Sequence, residues 1–107
     1  MKALDFIQRE RPVLAKQLEA YLAQRISHFE IQRHIDGVFE SWEHVVQKDG
    51  EPYSLGENEF WCAVWATQHL ASEDHWVDGI AQRELGLLQR VLDDKASLPA
   101  GYEGKRP

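Results

Sequence analysis

With 107 residues, 43% of them hydrophobic, the chain is sized for one domain, 1–107, whose single core needs no metal or disulfide staple. Its apolar and aromatic content excludes a disordered acidic tail despite the formal charge of −6, and its lone cysteine excludes an internal disulfide. No run approaches the roughly 18 apolar residues of a membrane span and no charged-then-apolar leader opens the chain, so a cytoplasmic protein without membrane contact is expected.

Apolar spacing is helical nearly throughout. It predicts an all-α fold: an antiparallel bundle of about four main helices, with a short N-terminal helix and an irregular C-terminal tail over 96–107. Leu4 and Ile7 mark the short first helix, which Pro12 interrupts or restarts. Leu14, Leu18, Tyr21 and Leu22 then form one stripe. Ser27 and Glu30 have capping-box spacing, so Ser27 is expected to accept from the Glu30 backbone. Behind that cap, Ile31, Ile35, Val38, Phe39, Trp42, Val45 and Val46 carry a second stripe to about Gln47, with Gly37 a weak point within it.

Residues 48–56 read as the one clear internal loop, rich in turn formers. A helix follows over about 58–71. Phe60, Trp61, Cys62, Ala63, Val64, Trp65, Ala66 and Leu70 surround it almost completely, which marks the helix enclosed by its neighbours. Cys62 sits in that apolar run and reads as a buried, inert thiol. Ser72 is placed to cap one last helix, with Trp76, Val77, Ile80, Ala81, Leu88, Val91 and Leu92 on a broad face. Beyond Lys95, Leu98 and Tyr102 are the residues expected to pin the tail.

Two charges fall inside apolar arcs: Arg25 with Leu14, Leu18 and Leu22, and Glu84 with Val77, Ile80, Leu88 and Val91. A buried charge needs a partner. Arg25, His69 and Glu84 are therefore expected as buried polar residues of structural use, Glu84 pairing with Arg25 or His69.

No motif carries catalysis or a cofactor. None of the five histidines has an acid three residues before it, His-Glu-x-x-His is absent, and no calcium loop or cysteine pair occurs, so no metal is expected. There is no Gly-rich phosphate loop and no nucleophile elbow. The expectation is a protein that is not an enzyme.

Charge distribution is the informative feature. Between Glu30 and Ile80 eleven acids face only Arg33 and Lys48, while residues 1–29 and 81–107 are mildly basic. Asp36, Glu40 and Glu43 follow i, i+4, i+7, a repulsive line on one helix. Together with Asp49, Glu51, Tyr53, Glu57 and Glu59 they form the expected partner-binding face. Such a field repels nucleic acid and speeds encounter with a basic protein. The expected function is non-enzymatic neutralisation of a basic protein, in its most concrete form a bacterial immunity protein against a toxin nuclease domain. The alternatives are a nucleic-acid mimic that occupies a DNA- or RNA-binding protein, a small helical enzyme or metal protein using His and Glu, and an assembly subunit. The spacing is compatible with a monomer or a homodimer.

Overall fold

The structure, a computed structural model, describes residues 1–45 and 54–107. The fold is all-helical, with no strand among the described residues. Five helices follow in order: α1 (Ala3–Leu22), α2 (His28–Glu43), α3 (Leu55–Leu70), α4 (Glu73–Val77) and α5 (Ile80–Leu92).

Pro12 lies inside α1 and does not interrupt it, contrary to the expectation from sequence. Ala3 and Ile7 before it and Leu14, Leu18 and Tyr21 after it keep one helical phase and are all buried. Burying a continuous face outweighs the roughly 3 kcal/mol that an interior proline costs. Leu4, one of the two residues that mark this helix in the sequence, lies within it but is exposed, whereas Phe6 is buried.

Ser27 caps α2 as expected, accepting from the Glu30 N–H at 3.1 Å. A second box of the same kind starts α3 earlier than the spacing suggested. Ser54 accepts from the Glu57 N–H at 3.1 Å, which turns Leu55 and Gly56 from loop into first helical turn.

The helix expected after Ser72 is two helices. Gly79 adopts φ +81° between α4 and α5, and the Asp78 carboxylate accepts from the Ile80 N–H at 2.9 Å. The break rotates Val77 off the shared face and leaves it 78% exposed.

One core joins α1, α2, α3 and α5, and α5 packs most extensively on α3 and α1. Phe60 to Val64 are buried in succession, so α3 is enclosed over its middle, although Trp65 on its flank is not. Phe6, Trp42, Phe60 and Trp61 form the aromatic centre, with Trp61 4.9 Å from both Trp42 and Phe60 between ring centroids.

Two polar side chains close helix ends across the bundle. Gln32 Nε2 donates to the carbonyls of Gln68 (3.0 Å) and Ala71 (3.2 Å) at the end of α3. Arg11 donates to Val91 O (2.9 Å) and Leu92 O (3.3 Å) at the end of α5, where a cation also suits the helix dipole.

Candidate functional site

The exposed side of α2 carries Asp36, Glu40 and Glu43, and none of the three is in an ion pair among the described residues. Gly37 sits in the same exposed strip, where an added Cβ would meet open space. Phe29 begins the helix 68% exposed, with the Arg33 guanidinium 5.8 Å from its ring centroid. Asp49, Glu51 and Tyr53, assigned to this face from sequence, lie outside the described residues.

Glu57 and Glu59 do not belong to the face. Glu57 is 3% exposed, accepts from the Trp61 indole at 3.0 Å, and takes the Arg106 guanidinium on both oxygens, Nη2 to Oε1 at 2.7 Å. Glu59 pairs with Arg11 at 3.0 Å. Both carboxylates neutralise cations that tie the fold together. Neither is available to a partner.

The tail is irregular, as expected, and runs as a strap along α3. Asn58 holds it from two sides, donating to Tyr102 O at 3.4 Å and accepting from the Gly104 N–H at 2.7 Å. Trp65 Nε1 donates to Lys105 O at 2.7 Å, and Arg106 lies 5.8 Å from the Trp42 ring centroid. Gly104 is buried against the α3 backbone, where a Cβ would run into Cys62 N and Asn58 O.

The expected buried polar set is also corrected. Arg25 is exposed (61% of its side chain), with only Glu19 at 3.9 Å, because it follows the end of α1 and no longer shares the stripe of Leu14 and Leu18. His69 is exposed on the outer side of α3, its ring 5.6 Å from that of His75. Glu84 sits at the edge of the α5 apolar arc, 29% exposed, and neither Arg25 nor His69 reaches it. Its carboxylate instead accepts from the hydroxyl of Tyr102 of the strap, at 2.8 Å on Oε2, and lies 3.9 Å from the neighbouring Arg83 guanidinium on Oε1. That hydrogen bond and the carboxylate charge raise the Tyr102 pKa. Burial, and secondarily Glu84, raises that of Cys62, consistent with an inert thiol.

Two places were not visible from sequence. His34 has a buried Nε2 without a hydrogen-bond partner, and burial lowers its pKa against the opposing pull of Glu10. At the α1–α2 turn, the Tyr21 hydroxyl lies 2.6 Å from His28 Nδ1, and both rings pack edge-on against Trp76 of α4 beside an open cleft. Their only sequence signal was three aromatic side chains at helix ends, which core packing explains equally well.

No group of three or more His, Cys, Asp or Glu side chains could hold a metal ion among the described residues. No described helix is long and apolar enough to cross a membrane. Comparison with protein-family models, with curated proteins and with solved structures finds no match to this chain.

Proposed function

We propose that this chain is a non-enzymatic binding protein that neutralises a basic protein partner through the outer face of α2, most concretely as an immunity protein against a bacterial toxin nuclease domain. The observation that carries the reading is the set of carboxylates at Asp36, Glu40 and Glu43, none of them in an ion pair among the described residues. Elsewhere this chain does place cations on its acids, at Glu57, Glu59 and Asp94. A face left uncompensated raises the encounter rate with a basic partner.

Gly37 adds support. An exposed mid-helix glycine costs about 1 kcal/mol against alanine, and no internal packing contact accounts for it here. A bare backbone between acids lets a partner approach closely. Nuclease sites are cationic because they handle phosphate, which makes them apt clients.

The test begins with capture from the native cell on immobilised wild-type chain and on a Glu40→Lys, Glu43→Lys double variant. A basic protein retained by wild type and lost by the variant is the expected result. Its association rate should fall steeply as salt rises, with dissociation less affected. Equal capture by both chains, or a salt-independent association rate, would reduce the stripe to a solvated surface.

A further inference from the structure

We propose that His69 and His75, on either side of the turn between α3 and α4, together ligate one divalent transition-metal ion of the zinc class. The site does not rest on the acidic line of α2. Ligand-spacing rules look for histidines on one helix, whereas here the break at Ala71 and Ser72 brings together residues from two.

The two rings stand 5.6 Å apart between centroids, with 41° between their planes. An imidazole bound through nitrogen keeps its ring centre about 3.2 Å from the metal, so two of them on a tetrahedral ion stand about 5.2 Å apart. The pair is therefore already close to the spacing that a shared ion requires.

The ring nitrogens are also left over for a ligand. His69 is exposed, and neither of its nitrogens has a hydrogen-bond partner among the described residues. His75 divides its two. Nδ1 is buried without a hydrogen-bond partner, 3.5 Å from the Asp78 carboxylate, while the side chain as a whole is 32% exposed. Nε2 is not buried in this way, which makes it the nitrogen open to an ion. Metal-bound histidines as a rule turn their second ring nitrogen to a carboxylate, which fixes the ring and strengthens the ligand. Asp78 stands where that carboxylate belongs. Its Oδ1 accepts from the Ile80 N–H at 2.9 Å, and Oδ2 is the oxygen beside His75.

Two imidazoles select the zinc, nickel and copper class over magnesium and calcium, which take oxygen. No third His, Cys, Asp or Glu completes the set among the described residues, so water fills the remaining positions. The consequence falls on α4, a helix of five residues with none buried, which the ion would fasten to the end of α3.

The experiment titrates zinc chloride into the untagged, chelator-treated and isotopically labelled full chain and follows its imidazole and amide signals by NMR. Saturation at one ion per chain is expected, with shifts centred on the His69 and His75 rings and the amides of α4. His69→Gln and His75→Gln, whose side chains reach solvent, should each weaken binding about tenfold or more. Asp78→Asn keeps an acceptor for the Ile80 N–H and should cost about tenfold. His44→Gln, at the end of α2, should change nothing. Copper should displace the zinc, whereas magnesium at the same concentration should leave the spectrum unshifted. Absence of saturation up to about 1 mM zinc, dependence on only one of the two histidines, or an equal effect of His44→Gln each overturns the proposal. So does an equal response to magnesium, which would make the acids of α4 the ligands.

Discussion

Glu57 shows how far a single carboxylate's role depends on what reaches it. Its charge is taken almost wholly out of water, at a desolvation cost of several kcal/mol, and the Trp61 indole with the Arg106 guanidinium answers it. Removing the cation should therefore hurt more than removing the pair. Arg106→Ala is expected to lower the unfolding free energy by about 3–5 kcal/mol, while a Glu57→Met, Arg106→Met double variant loses less. Urea denaturation followed by tryptophan fluorescence measures both. If the double variant is the worse of the two, Glu57 is not a compensated buried charge.

His34 carries the opposite logic. Burial lowers its pKa from the ordinary 6.5, so the folded state holds its proton less well than the unfolded chain. Its contribution to stability is complete above pH 6.5 and is lost as pH falls from there through the folded-state value. Between pH 7 and pH 5 the wild type should lose stability faster than His34→Leu, by denaturant titration at each pH. Parallel curves would place His34 in solvent-like surroundings.

At the scale of elements, local patterns were legible and distant ties were not. The stripe of Ile31, Ile35, Val38 and Trp42 and the cap at Ser27 followed from neighbours within two turns, and both are present. Ser54 and Glu57 had the same box spacing, overshadowed by the surrounding turn formers. Pro12 misled because its local penalty says nothing of the common phase on either side. Gly79 stands as an isolated glycine within the expected last helix, and its positive φ divides that helix in two. The candidate face lost Glu57 and Glu59 for a further reason. Their cations, Arg106 and Arg11, lie about fifty residues away in sequence, and no periodicity encodes such a meeting.

Two glycines make the contrast testable. Gly104 touches the α3 backbone, so Gly104→Ala must lift the strap, taking Arg106 from Glu57. A loss above about 2 kcal/mol and a changed tryptophan emission are expected. At Gly37 the added methyl meets nothing, and alanine should stabilise α2 by up to about 1 kcal/mol. A stabilised Gly104→Ala would mean that the strap is not seated as described.

Over the whole molecule, the net charge of −6 is carried unevenly, and the unpaired line on α2 concentrates self-repulsion on one helix. Asp36 with Glu40, and Glu40 with Glu43, each cost a few tenths of a kcal/mol at low ionic strength. Glu40→Lys reverses both contacts at once and places a cation four residues after an acid, the favourable order along a helix. The variant should gain about 0.5–1 kcal/mol in unfolding free energy at roughly 10 mM salt. That advantage should shrink as salt approaches about 150 mM, where the screening length falls from about 30 Å to 8 Å. The same substitution should slow association with the basic partner, so stability and binding would move in opposite directions. A variant that is more stable yet associates as fast as wild type would show that the repulsion is real but that no partner uses it. An unchanged stability at low salt would mean that the three carboxylates do not feel one another, leaving no concentrated field for a partner to follow.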